Sequence, residues 1–244
     1  MTHTATLLDD PEALPLLAPE AVRDLGRVVV LAPHPDDESL GCGGLLALLA
    51  EAGIPAWVIV VTDGTRSHAS AAYPPSRLRV LRESEAQEAV AHLGHAGRVR
   101  FLRFPDCGLP APDTLAFEDA AADLADAIRA LAPDTLLVPW RRDPHCDHEA
   151  TWQLARARVH PGVRWLEYPV WAWASREAAP LAPEARAWRL DISPVLAQKA
   201  RAVAAHRSQT TRLIDDDPDG FILLPEVLAR FERPWELFLD PTDA

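Results

Sequence analysis

Two short stretches of the chain carry residue types that bind and use metal ions. One is Ala32-Pro33-His34-Pro35-Asp36-Asp37-Glu38 and the other is His145-Cys146-Asp147-His148. Imidazole nitrogen and carboxylate oxygen are both zinc donors, and a catalytic zinc site combines three protein ligands with a fourth position for water. His34, Asp37 and His148 make a two-histidine, one-carboxylate set of that kind. Iron or cobalt can use the same donors. Hydrolysis also needs a base to take the water proton, and Asp36, beside a ligand, is the candidate. His145, if cationic, can stabilise an oxyanion and protonate a departing nitrogen, with Asp147 keeping it charged. Alone, an HxDH would be read as a surface loop and PDD as a turn. Asp36 also stands where a helix cap would stand.

The elements around these stretches decide whether they can meet. Residues 27–33 and 134–140 are short β-branched or apolar runs, read as buried strands, and each runs straight into one of the two stretches. Further strands are expected at 56–62, 98–104, 163–171, 185–192 and 236–240. Helices are expected after the Gly-rich GCGG up to Gly53, and at 76–94, 114–132, 148–160 and 193–209, the last capped by Ser193. A short helix is expected near 19–24. Gly41, Gly43 and Gly44 are read as allowing close backbone approach beneath the site. This alternation of strand and helix predicts a mostly parallel sheet with helices on both faces. In such sheets ligands bind outside the carboxyl ends of the strands. Both stretches fall there, about a hundred residues apart in sequence.

Composition narrows the class. The chain has 244 residues, 48% of them apolar, enough for one sizeable domain. A formal net charge of −12 argues against nucleic acid and anionic lipid as partners. Three cysteines (Cys42, Cys107, Cys146) form no CxxC pair, which makes a reducing cytoplasm the expected compartment. The first twenty residues lack a signal-peptide pattern, and no run reaches the ~18 apolar residues of a membrane span. Homo-oligomerisation is left open.

The pair of stretches, APHPDDE and PHCDHEA, resembles the LmbE-like or PIG-L-type N-acetylglucosamine deacetylases. TDG at 62–64, RESEAQEAVAHLG with Arg82 and Glu85, HRSQ at 206–209 and PWELF extend the resemblance over most of residues 27–240, behind an arm at 1–26. It implies an α/β, single-domain, Rossmann-like three-layer sandwich with the active site at the C-terminal ends of the strands. It implies zinc on His34, Asp37 and His148, Asp36 as base, and His145, tuned by Asp147, at the oxyanion. It further implies Arg82 and Asp106 as contacts to a small amino-sugar conjugate. Some relatives carry arginine or tyrosine before the first histidine of the second motif, where this chain has Asp143 and Pro144.

Other residues receive plainer readings. Glu38 is expected to hydrogen-bond behind the ligands. His68, His92, His95, His160 and His206 are expected to be solvated or structural, with His206 set apart by its HRSQ context. Cys42 and Cys146 are read as small buried residues. Trp165, Tyr168, Trp171 and Trp173 are read mainly as core, and Trp140 as near the mouth of the site. The expected activity is removal of an acetyl group from an N-acetylglucosamine-type conjugate. The alternatives are cleavage of another acyl substrate, such as a thiol-sugar conjugate or an antibiotic precursor, a nucleotide-binding module, or a zinc protein without catalysis.

Overall fold

The computed structural model describes residues 10–159, 162–173 and 186–241. His160 lies outside them, as do the expected strand and helix ends at 160 and 185. The valine-rich run forms β2 (Val28–Ala32), every residue of which is buried. Burial on both faces is the signature of a central parallel strand. Around it stand β3 (Ala56–Thr62), β4 (Val99–Phe104), β5 (Thr135–Pro139) and β6 (Arg164–Tyr168). Two-residue β1 (Leu16–Leu17), β7 (Arg186–Asp191) and β8 (Trp235–Asp240) extend the sheet at one side. The strand order is β1-β7-β8-β6-β5-β2-β3-β4. Neighbours are parallel except β8, which runs antiparallel to both β6 and β7. The fold is therefore α/β with a mostly parallel sheet.

This order has a switch point. From β2 the chain steps outward through β3 and β4, then crosses back to β5 on the other side of β2 and steps outward again to β6. Val30 and Leu137 are direct partners across β2 and β5. The loops leaving the carboxyl ends of these two strands diverge to opposite faces, which opens a crevice between them. The two chemistry-bearing stretches leave the sheet there.

Helices cover both faces. α1 (Asp37–Glu51), α2 (Pro75–His92) and α5 (Leu196–Ala205) pack on the face to which Val28, Val30 and Ala32 point. The opposite face, with Val29 and Leu31, carries α3 (Leu115–Arg129) and α4 (Cys146–Arg158). Two short helices follow, α6 (Arg207–Thr210) and α7 (Pro225–Leu228).

Four boundaries differ from the sequence expectation. First, α1 begins at Asp37, so Gly41, Gly43 and Gly44 sit inside the helix. A Cβ on Gly41 would overlap the Tyr168 ring of β6, and one on Gly44 would overlap Ile192. The glycines bring α1 against the sheet, and all of Asp37–Leu49 is buried. Second, α4 starts at Cys146, not His148, which puts His148 in its first turn. Third, the expected helix at 193–209 is broken at His206 (φ −78°, ψ 59°), where His206, Ser208 and Gln209 turn inward and Arg207 stays exposed. Strand β6 also ends at Tyr168, and Trp171–Trp173 form a 3-10 turn. No helix of the described residues is long and apolar enough to cross a membrane.

Candidate metal centre and its pocket

Strand β2 ends at Ala32, and the turn that follows is forced by Asp36, whose φ of 144° lies in a region that L-residues rarely adopt. Such a conformation costs on the order of 1–3 kcal/mol and persists only where its surroundings enforce it. Here the enforcement is visible. Glu38 Oε2 accepts from the Asp36 N–H at 3.1 Å, and Arg82 donates to Pro35 O at 2.8 Å. Asp36 holds the position before α1 but makes no side-chain cap; it lines the pocket, with Oδ2 accepting from Arg82 at 3.3 Å.

Asp37, the first residue of α1, gathers the two histidines. Its Oδ2 lies 3.2 Å from His34 Nδ1 and 3.2 Å from His148 Nε2. Donors each ~2.1 Å from a tetrahedral zinc stand about 3.4 Å apart, so each of these two spacings is of the size that ligands of one ion keep. His148 is fully buried and neither of its ring nitrogens is aligned for a hydrogen bond, although Nδ1 lies 2.7 Å from Asp143 Oδ2. A buried imidazole nitrogen without a hydrogen-bond partner, facing a carboxylate, is chemically suited to a cation. The donor atoms of His34, His145 and His148 also lie within 4.8 Å of one another, as do those of His34, Asp106 and Asp147. The described residues thus contain a His/Asp group that could hold a metal.

Asp143 was singled out in sequence only as a departure from the family pattern. It accepts from the N–H groups of Val170, Trp171 and Ala172 at 3.2, 3.0 and 2.6 Å, and so is fixed in place to orient His148. Carboxylates behind metal-ligating histidines do this generally.

Electrostatics separate the carboxylates. Burial pushes Asp36 up to about 6, against the pull of the Arg82 guanidinium. Asp37 is held well below the carboxylate range, because the charge and contact of His148, with those of His34, outweigh burial. His148 is raised to about 9, since Asp37 and Asp143 overcome the effect of burial. His145 moves the other way, down to about 4, through burial and then the positive charges of His34 and His148.

Several sequence-predicted residues sit differently from expectation. His145 is neutral by this balance rather than cationic. The Asp147 carboxylate does not reach it; Oδ2 accepts from Cys107 N–H at 2.8 Å and lies 3.0 Å from His34 Nε2. Asp147 meets His145 only through its backbone N–H, 3.2 Å from Nδ1. Arg82 borders the pocket, yet it is buried, and its terminal nitrogens are taken by Gly64 O, Pro35 O and Asp36 Oδ2. Asp106 also lines the pocket, with Oδ1 3.5 Å from His34 Nε2 and Oδ2 accepting from Arg66 N–H. Trp140 is core rather than mouth, and Cys146 is exposed rather than buried.

The structure adds residues that the sequence reading placed elsewhere or passed over. His206 Nε2 lies 3.0 Å from Glu38 Oε1, and Ser208 donates twice to Glu85, so HRSQ braces the turn that carries Asp36. Gln209 is buried beside the pocket with its Oε1 unpaired. Trp171 stacks on His145 at 5.6 Å and meets Phe221 edge-on, forming an apolar wall. The HRSQ context was the available signal for His206; nothing in the sequence marked Phe221.

The chain also resembles known proteins. The family model described as PIG-L, GlcNAc-PI de-N-acetylase, matches residues 29–159. A 2'-N-acetylparomamine deacetylase from Streptomyces fradiae is 34% identical over 215 residues, covering 76% of this chain and 74% of that protein. A diacetylchitobiose deacetylase from Thermococcus kodakarensis is 26% identical over 212 residues, covering 78% and 72%. Among solved structures, the N,N'-diacetylchitobiose deacetylase from Pyrococcus horikoshii superposes with a TM-score of 0.69 at 22% identity, covering 96% of this chain and 90% of that one, which supports the fold. The chain belongs to the PIG-L family and is, like its relatives, a deacetylase that hydrolyses amide bonds.

Proposed function

We propose that the protein is a zinc-dependent N-deacetylase acting on the acetamide of an N-acetylglucosamine-type conjugate, with zinc held by His34, Asp37 and His148. The observation that carries this reading is the sharing of one Asp37 oxygen by two buried imidazoles, beside a second carboxylate, Asp36, raised to about 6. When bound, zinc supplies a Lewis acid that makes water acidic near neutral pH and polarises a carbonyl. The remaining chemistry falls to side chains.

Asp36 is the general base. A carboxylate with a pKa near 6 is ionised at neutral pH and still basic enough to take the proton of the attacking water. His145 is the oxyanion donor. Its Nδ1 accepts from Asp147 N–H, which leaves the proton of the neutral ring on Nε2. A neutral imidazole can donate a hydrogen bond to a developing oxyanion. It is a poor acid, so the departing amine takes its proton from Asp36, which gained one in the first step. The products are the free amine and acetate.

Substrate enters a cavity of about 190 Å³. That is smaller than the ~300–1,000 Å³ of a drug-sized ligand site, so it encloses about one sugar unit and leaves the rest of the conjugate outside. Trp171 and Phe221 give an apolar face for a sugar ring, and Asp106 accepts from hydroxyls. The names of the two relatives, one with paromamine and one with chitobiose, support an amino-sugar substrate.

The test is acetate release from a panel of N-acetylglucosamine conjugates, with and without chelator. Release that chelator abolishes and zinc restores supports the reading. Release that ignores chelator, or none from any member of the panel, rejects it.

A further inference from the structure

Cys107 and Cys146 are 39 residues apart in sequence and were unpaired by spacing, yet their Sγ atoms lie 3.7 Å apart at the rim of the pocket. Cys107 sits on the turn after β4 with a positive φ of 50°, and its N–H is held by Asp147 Oδ2. Cys146 is the first residue of α4. Asp147 thereby ties the two thiol-bearing segments together. A donor nitrogen of His145 lies within 4.8 Å of both sulfurs.

At 3.7 Å the sulfurs are those of two reduced thiols in contact, the Cys146 thiol donating to the Cys107 sulfur. A disulfide needs sulfurs ~2.05 Å apart. Two thiolates, each ~2.3 Å from a tetrahedral zinc, stand about 3.8 Å apart, so this pair needs little rearrangement to share a cation. Both cysteines are exposed, which gives a hydrated cation a route to the pair and leaves solvent for a fourth position.

We infer that Cys107, His145 and Cys146 form a second metal site, for a thiophilic divalent cation such as zinc in excess or cadmium, distinct from the His34/Asp37/His148 centre. Binding replaces the two thiol protons, which pass to solvent, with two metal–sulfur bonds; no electron is transferred. An imidazole ligating a cation there is withdrawn from the substrate carbonyl, so occupation inhibits deacetylation. This last consequence rests on the role proposed for His145; the binding itself does not.

The test is titration of the reduced, metal-free protein with cobalt(II), followed by elemental analysis and by activity against added zinc. The first equivalent is expected to give ligand-field bands without thiolate charge transfer. A second, weaker equivalent brings a near-ultraviolet thiolate-to-cobalt band. In Cys107→Ser/Cys146→Ser the second equivalent and the band are lost while the first is kept, and excess zinc no longer inhibits. Uptake of one equivalent only by fully reduced protein, or a band that survives in the double variant, overturns the inference. Two equivalents with no acetate release from any substrate would leave the second site standing and remove the deacetylase reading instead. One equivalent with full activity would do the reverse.

Discussion

Asp36 combines a strained backbone, a raised pKa and an ion-pair partner in one residue. Its role predicts that Asp36→Asn keeps bound metal by elemental analysis but loses about 10²- to 10⁴-fold in turnover. Unchanged turnover would remove it from the chemistry. The base must be ionised to act, and Asp36 is raised to about 6. Activity should therefore be present above pH ~6 and fall away below it. Arg82 holds that value down, so Arg82→Gln should move the acid limb of kcat/KM to higher pH. A limb that stays in place would make Arg82 a structural staple without influence on the base. Asp143→Ala should weaken metal binding by about 10- to 100-fold, measured by competition with a chelator, because His148 loses the carboxylate that orients it.

At the level of elements, α1 and the breaks around it explain what could and could not be read in advance. The β2 and β5 strands, the chemistry-bearing stretches at their ends and the mostly parallel sheet were legible, because continuous apolar runs and chemically specific residues announce themselves locally. The interior position of Gly41 and Gly44 was not, since glycine in a sequence reads as a turn unless its neighbours in space are known. The break at His206 is set by Glu38, 168 residues away, and no local propensity encodes it. Asp143 and Cys107 were equally silent, for their partners are backbone amides and a thiol brought in by folding. Gly41→Ala should cost about 1–3 kcal/mol by forcing α1 off Tyr168, a loss that thermal denaturation would read. No change in Tm would mean that the close packing of α1 on β6 is not required.

For the whole molecule, the centre links folding to metal. A ligand that binds only the folded state at ~1,000 times its Kd adds ~4 kcal/mol, and a protein of this size shifts about 2–4 °C per kcal/mol, so metal should raise Tm by about 8–16 °C. Without metal, His148 is raised to about 9 by Asp37 and Asp143. A raised histidine contributes stability that is complete below its unfolded value of ~6.5 and is lost as pH climbs through 9. The metal-free protein should accordingly melt lower at pH 9.5 than at pH 6, and the stabilisation by metal should grow over the same interval. Equal melting at both pH values would detach His148 from those carboxylates.

All of this depends on two loops, from adjacent strands at a switch point, closing on one cation. The most direct measurement is an anomalous-scattering map of crystals grown with one equivalent of zinc. A single peak bonded to His34, Asp37 and His148 is expected, with the Asp36 carboxylate beside it. A peak lodged instead on His34, Asp106 and Asp147, or at the cysteine pair alone, would contradict it.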